Sequence, residues 1–116
     1  MKIIIQSLGF KSSESLEDFI RERINKIKDD RIVAANVVLF KGPASNPEND
    51  YCEIRLEVPG NDHFVKKHSQ YFEVAVTQCI DILELMIKKA KEKKMRHEEI
   101  EMPDEEDGVA MLDDDL

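Results

Sequence analysis

The sequence predicts an α+β fold: a two-layer β-α-β-β-β-α sandwich, in which a four-stranded sheet carries two helices packed on one face. Three observations favour this fold. Residues 16–27 and 72–90 repeat apolar side chains at the three- and four-residue spacing of amphipathic helices. Four other segments are rich in β-branched residues or alternate apolar and polar residues, as strands do. The segments between them hold the Gly, Pro and Asn residues that are typical of turns.

The first strand and the first helix occupy residues 2–30. Residues 2–7 (KIIIQS) are apolar on both faces, which predicts a central strand. Ser13 is the expected N-cap of the helix, because acidic residues follow it in the first turn, where the helix dipole favours them. The helix is expected to run to about residue 30. Its core stripe consists of Leu16, Phe19, Ile20, Ile24 and Ile27.

Three strands are predicted next. Residues 32–40 (IVAANVVLF) have the composition of a strand, and residues 41–50 form a loop that contains Gly and Pro. Residues 51–58 (YCEIRLEV) alternate between apolar and polar side chains, which indicates a strand with one buried face and one solvent-exposed face. The turn 59–62 (PGND) then returns the chain, so that residues 63–68 pair antiparallel with the previous strand.

The longest element is a helix that begins near Ser69 or Gln70 and ends near His97. Its core stripe spans five turns and consists of Phe72, Ala75, Val76, Cys79, Ile80, Leu83, Ile87 and Ala90. Beyond Ala90 the apolar stripe fades, and basic residues dominate. The last part of this helix is therefore a candidate interaction surface rather than core.

Charge divides the chain into two parts. The whole chain carries a net charge of −8, yet residues 98–116 contain ten acidic residues and no Lys or Arg. Residues 1–97 therefore carry a net charge of +2. We expect one folded domain over 1–97 and an acidic, disordered tail over 98–116, because the tail has too little apolar content to order itself.

The sequence contains no pattern that indicates catalysis. It lacks the glycine-rich phosphate loops, the nucleophile elbow and the HExxH motif, and its three His residues do not have metal-ligand spacing. Cys52 and Cys79 are expected to be free thiols, buried as small apolar groups in a reducing compartment. We expect no enzyme, no cofactor, no metal site and no membrane association. A hydrolase or redox protein built on either thiol is the enzymatic alternative.

The basic residues indicate RNA binding. Residues 88–97 hold six Lys or Arg against one Glu, so ion pairs within the helix do not explain them. A second basic set lies on the first helix, which the topology places alongside, and two such helices suit a phosphate backbone. We expect the aromatic residues to sit mostly in core patterns, which favours binding to folded RNA over stacking on single strands. The candidate RNA-binding residues are Arg21, Arg23, Lys26, Lys28, Lys88, Lys89, Lys91, Lys93, Lys94 and Arg96.

An ordered set of motifs covers residues 1–97. The chain opens with KIIIQS, and its first helix has the form LxxFIxxxIxKI. The turn VPGND precedes a strand that bears lysines, and the last helix has the form FxxAVxxCIDxLxxxIKKxKEK. Together these motifs resemble the ribosome hibernation promoting factors and the related ribosome-associated inhibitor, once called sigma-factor modulation proteins. The chain resembles a short form of this family, without the C-terminal dimerisation domain of the long forms.

The resemblance implies a cytoplasmic, non-enzymatic protein that binds rRNA in the decoding region of the small ribosomal subunit. There it would sterically block the mRNA and tRNA sites when growth slows. Lys26 matches a basic position on the family's first helix, and Lys67 matches the strand lysine before the last helix. Lys89 and Lys93 match basic positions near the end of that helix, with other lysines beside them. The resemblance therefore adds Lys67 to the candidate RNA-binding residues.

One departure from the family opens an alternative. Ile82 and Leu85 stand where many members carry basic residues, and with Val74 they form a second apolar flank on the last helix. Apolar side chains cannot replace phosphate contacts. Either this flank meets a protein partner or a second copy of the chain, or the RNA footprint is smaller. The alternative is thus a non-enzymatic homodimer or adaptor module on the same fold.

Overall fold

Six elements follow one another in the predicted order. A computed structural model describes the backbone of residues 1–100 and the side chains of residues 1–93. The elements are β1 (Lys2–Leu8), α1 (Glu14–Asn25), β2 (Ala34–Lys41), β3 (Asp50–Glu57), β4 (His63–Ser69) and α2 (Phe72–Ile100). The predicted α+β class and element list are therefore confirmed.

The four strands form one mixed sheet in the order β1-β2-β3-β4. β1 runs parallel to β2, and the other two neighbouring pairs are antiparallel. Both helices pack on the same face. Sheet residues such as Leu39 and Ile54 share one buried cluster with Ile20 and Ile24 of α1 and with Leu83 of α2. No helix of residues 1–100 lies on the opposite face of the sheet, which we call the open sheet face.

The prediction that the first strand is central is wrong. β1 lies at one edge of the sheet, where it pairs with β2 alone. Ile3 and Ile5 pack against the core, whereas Ile4 and Leu8 lie exposed on the open sheet face. The strand is apolar on both sides because the open sheet face is itself partly apolar.

α1 begins as predicted and ends earlier than predicted. The hydroxyl of Ser13 accepts a hydrogen bond from the backbone N–H of Leu16 at 3.1 Å, which confirms this residue as the N-cap. After Asn25, the N–H of Ile27 donates to the carbonyl of Ile24 at 3.0 Å, so the last turn tightens from α to 3₁₀ geometry. Ile27 nevertheless stays buried in the core.

The β3–β4 hairpin follows the expected pattern, whereas α2 starts slightly later than predicted. Gly60 has φ +94° in the turn, a conformation that glycine adopts without strain. His63 is buried and His68 is exposed. The two residues are five positions apart on one strand, and because successive side chains alternate, they point to opposite faces of the sheet. α2 starts at Phe72, whose ring stacks on Phe10 with centroids 4.8 Å apart. The helix thus begins two residues later than the nearer predicted start.

The predicted boundary between domain and tail stays a prediction. The α2 backbone continues to Ile100, and the rest of the predicted tail, residues 101–116, lies outside the described residues. Within the part of the chain that the structure describes, no helix combines the length and the hydropathy needed to cross a bilayer.

Candidate nucleic-acid interface

Four of the predicted basic residues converge on one cleft between the helices. Lys26 and Lys28 come from the segment directly after α1, and Lys88 and Lys91 come from the second half of α2. The open cleft measures about 360 Å³ and has the buried side chains of Ile27 and Ile87 at its floor. Glu84 and Glu92 also line it, which leaves a net charge of +2 among the lining residues. We call this surface the lysine cleft.

The end of α1 holds its two lysines in place for local reasons. Lys26 is the C-cap residue of α1, where the helix dipole favours a positive charge. Lys28 follows after the tightened turn that keeps Ile27 in the core. Among the side chains that the structure describes, no carboxylate forms an ion pair with either lysine. Both charges are therefore available to an anionic partner.

An ion pair fixes the loop beside the lysine cleft. The guanidinium of Arg31 donates to both carboxylate oxygens of Asp29, at 3.1 Å and 2.9 Å. These hydrogen bonds hold the pKa of Asp29 at about 2, below its ordinary value of 3.8, with a smaller contribution from the charge of Lys91. Asp29 therefore remains ionised at neutral pH, and its carboxylate is already paired with the guanidinium of Arg31 in the same loop.

The basic residues of α2 do not form a single stripe. Successive residues of an α-helix turn by about 100°, so Lys88 and Lys91 lie on one side of α2 and Lys89 and Lys93 on another. The first pair lines the cleft toward α1, whereas the second pair is exposed and does not line it. Lys94 and Arg96 belong to α2, but their side chains lie outside the described residues.

Three further candidates lie away from the lysine cleft. Arg21 is in ion-pair contact with Glu17 and Asp18 of its own helix, each at 3.6 Å. The guanidinium of Arg23 lies 4.8 Å from the centre of the Phe19 ring. Lys67 is exposed on the edge strand β4, beside Cys79 in the first half of α2. Of the nine predicted residues whose side chains are described, four therefore line the lysine cleft and five lie elsewhere.

The predicted apolar flank of α2 is only partly exposed. Leu85 is 57% exposed and Val74 is 41% exposed, and the two lie three turns apart on the same side of the helix. Ile82, by contrast, is half-buried and packs against the core. Tyr71, directly before α2, adds a further ring that is 62% exposed. The interpretation of all three predicted residues as one surface flank is therefore wrong for Ile82.

Both cysteines are buried free thiols, as predicted. The thiol of Cys79 donates to the carbonyl oxygen of Cys52 at 3.4 Å, and the nearby Cys79 sulfur together with burial raises the pKa of Cys52. A buried, protonated thiol is a poor nucleophile. Across the described residues, no three His, Cys, Asp or Glu side chains are arranged to hold a metal ion.

The expectation that aromatic residues sit mostly in core patterns is wrong. All seven Phe and Tyr residues have described side chains, and only Phe72 is fully buried. Phe40 and Phe64 are exposed on the open sheet face, and Tyr51 lies half-buried between the same strands. The strand pattern in the sequence contained the signal, because Phe40 and Tyr51 fall on the positions that alternate with core residues.

Comparison with known proteins supports the fold independently. The profile of the family described as "Sigma 54 modulation protein / S30EA ribosomal protein" matches residues 3–95. A ribosomal subunit interface protein from Coxiella burnetii is similar in structure, with a TM-score of 0.70 at 18% identity over 78% of this chain and 98% of that one. The Protein Y N-terminal domain from Thermus thermophilus gives a TM-score of 0.65 at 21% identity over 77% of this chain and 98% of that one. No curated protein sequence matches the chain.

The profile match spans most of the chain, and it covers every element from β1 to the lysine-bearing part of α2. The resemblance to this family that the sequence motifs indicate is therefore confirmed. The chain belongs to the sigma 54 modulation protein / S30EA ribosomal protein family, whose members associate with ribosomes.

Proposed function

We propose that this protein binds rRNA in the decoding region of the small ribosomal subunit and sterically blocks the mRNA and tRNA sites. The observation that carries the proposal is the lysine cleft, where cations from two separate elements face the same space. A phosphate backbone is bound through several such contacts at once, each of which releases counterions. Family membership supplies the ribosome as the partner, and the Coxiella burnetii relative is named for the subunit interface.

The proposed mechanism has no catalytic step. Occupancy alone inhibits translation, because a folded domain in the decoding region excludes the ligands that have to bind there. This mechanism needs no nucleophile, and it agrees with the burial of both thiols away from solvent. A cytoplasmic location and a non-enzymatic, cofactor-free role in ribosome hibernation follow from the same proposal.

Competition with initiation ligands tests the proposed function. Small ribosomal subunits are loaded with mRNA and initiator tRNA, and the purified chain is added before or after loading. We expect the chain to bind empty subunits at one copy each, to be excluded from loaded subunits and to prevent loading when it is added first. Simultaneous stoichiometric binding of the chain and of both ligands would contradict the steric block.

A second candidate function rests on the exposed Leu85 and Val74. Large exposed apolar side chains are found in protein interfaces, and here two of them lie on the same side of the helix that also contributes to the lysine cleft. In this alternative the chain forms a homodimer, or binds an adaptor, through the last helix. A dimer mass in dilute solution that returns to a monomer mass in Leu85→Glu, together with no subunit binding, would favour it.

A further inference from the structure

The open sheet face presents an unexpected concentration of rings and apolar side chains. Strand alternation places one set of side chains on this face while the other set packs under the helices. The apolar and ring-bearing members of the set on this face include Ile4, Leu8, Phe40, Tyr51, Phe64 and His68. None of the residues that line the lysine cleft belongs to this face.

Three rings form a row across neighbouring strands. Phe40 of β2 is in register with Tyr51 of β3, which is in register with His68 of β4. The ring centroids are 5.8 Å apart for the first pair and 5.1 Å apart for the second. Phe40 is 44% exposed, so one ring of the row offers much of its surface to solvent. Leu8 of β1 extends the row to the opposite edge of the sheet.

A fourth ring and two cations complete the surface. Phe64 is 43% exposed, and the guanidinium carbon of Arg55 lies 4.9 Å from its centroid. The ammonium of Lys66 lies 6.0 Å from the centroid of Tyr51. Both cations have carboxylate neighbours, at 3.9 Å for Arg55 and 3.5 Å for Lys66, and both side chains are at least half exposed. Phe64 and Tyr51 therefore each have a positive charge beside the ring, within reach of a phosphate group.

We propose that the open sheet face is a second binding site, which takes a short unpaired nucleic-acid strand by stacking bases on Phe40, Tyr51 and Phe64. Bases stack on aromatic side chains whatever their identity, and cations beside the rings contact the backbone. A four-stranded sheet with aromatics on one face can hold about two or three bases in this way. The site is separate from the lysine cleft, and it does not depend on the function proposed for that cleft.

The cations on this face argue for a nucleic-acid strand over a second copy of the chain. Arg55 and Lys66 lie beside the rings of Phe64 and Tyr51 and are at least half exposed, as a site for a phosphate-bearing strand requires. Charged residues are, by contrast, depleted at the core of protein–protein interfaces.

Binding of short labelled oligonucleotides tests the site. The probes are fluorescent six-residue adenylate strands of RNA and of DNA, measured by fluorescence anisotropy with the full chain. We expect both strands to bind and the double variant Phe40→Ala/Phe64→Ala to lose at least about fivefold in affinity for each ring that is removed. With at most a few cations on this face, the logarithmic salt slope should be no steeper than about −2.

Matched variants separate stacking from folding and from the lysine cleft. Phe40→Leu/Phe64→Leu keeps apolar side chains but removes the rings, and it is expected to bind as weakly as the alanine variant. Tyr71→Ala removes an exposed ring that is not on the open sheet face, and Lys88→Glu/Lys91→Glu reverses the cleft charges. Both are expected to retain most of the affinity for the six-residue strands. The circular dichroism of every variant is compared with that of the parent.

Four results would overturn the inference. The first is no binding of either strand, and the second is equal affinity for the parent and for folded Phe40→Ala/Phe64→Ala. The third is a dimer of the parent chain that dissociates in that variant, which would make the open sheet face a protein interface. Loss of strand binding only in the cleft variant would instead assign single strands to the lysine cleft, and it would also refute the proposal.

Discussion

The loop after α1 depends on a single ion pair, between Asp29 and Arg31. The carboxylate of Asp29 is almost completely shielded from solvent, with 3% of its side chain exposed. It accepts hydrogen bonds from the backbone N–H of Arg31 and from the guanidinium of the same residue. These contacts fix the chain between the end of α1 and the start of β2. Because Lys28 directly precedes Asp29, the same ion pair also orders one rim of the lysine cleft.

We expect Asp29→Asn to lower the free energy of unfolding by about 1–2 kcal/mol at pH 7. The pKa of Asp29 is about 2 in the folded protein and 3.8 ordinarily, so the stabilisation is complete above pH 3.8 and is lost as the pH falls through about 2. Urea unfolding at several pH values between 2 and 7 measures the difference between parent and variant.

Asp30→Asn is the matched control for that variant, because it makes the same substitution at an exposed neighbouring position. It is expected to unfold like the parent at every pH. A stability difference between the parent and Asp29→Asn that did not shrink toward pH 2 would show that the ionised carboxylate is not the stabilising group.

Individual residues could be predicted from the sequence where local chemistry decides their role. The capping of α1 by Ser13 and the burial of Cys52 and Cys79 depend on short-range patterns, and the structure confirms them. The exposure of Phe40 and Phe64 depends instead on which face of the sheet the helices leave uncovered. That choice is made by packing between distant segments, which the pattern of a single strand does not report.

At the scale of elements, α2 carries two different basic surfaces. Lys88 and Lys91 line the lysine cleft together with Lys26 and Lys28, whereas Lys89 and Lys93 lie on another side of the helix and do not line it. The resemblance to the family singled out Lys89 and Lys93, and the geometry favours the other pair. Helical periodicity alone could not show which of the two lysine pairs faces α1, because that depends on how α1 packs beside α2.

Two double variants of equal charge compare these surfaces. We expect Lys88→Glu/Lys91→Glu to weaken binding to small ribosomal subunits more than Lys89→Glu/Lys93→Glu does, because the cleft pair acts with two further lysines. Each lost phosphate contact should reduce the logarithmic salt slope by about one. A larger loss in the second variant would assign the RNA contact to the far side of α2, and no loss in either would exclude the helices as the RNA face.

The position of β1 shows the limit of prediction at this scale. An apolar strand on both faces is typical of a central strand, yet β1 forms an edge whose outer face belongs to the open sheet face. The element list could be derived from periodicity and turn residues. The strand order could not, since no local pattern distinguishes an edge strand on an apolar open face from a buried strand.

For the whole molecule, the charge asymmetry between 1–97 and 98–116 suggests competition for the lysine cleft. We propose that the acidic residues of the C-terminal segment compete with RNA for the basic helices. A chain that ends at Ile100, the last residue of α2, lacks eight acidic residues and should bind RNA a few-fold more tightly at low salt. The gain should shrink as salt screens the charges.

A full-length variant with those eight acids replaced by Asn and Gln is the control for chain length in that experiment. It is expected to bind like the shortened chain, because charge and not excluded volume is the proposed cause. The affinity of each protein for a labelled RNA hairpin is measured by fluorescence anisotropy. If both proteins bind the hairpin with the affinity of the parent, the acidic segment does not compete with RNA.

The central claim is that the folded domain binds the small ribosomal subunit through phosphate contacts of the lysine cleft. Co-sedimentation of the purified chain with small ribosomal subunits across a salt series tests it most directly. The account predicts saturable binding of one copy per subunit that weakens steeply with salt, with a shallower slope for Lys88→Glu/Lys91→Glu. Absence of binding at low salt, or salt-independent binding that this variant leaves unchanged, would contradict the account.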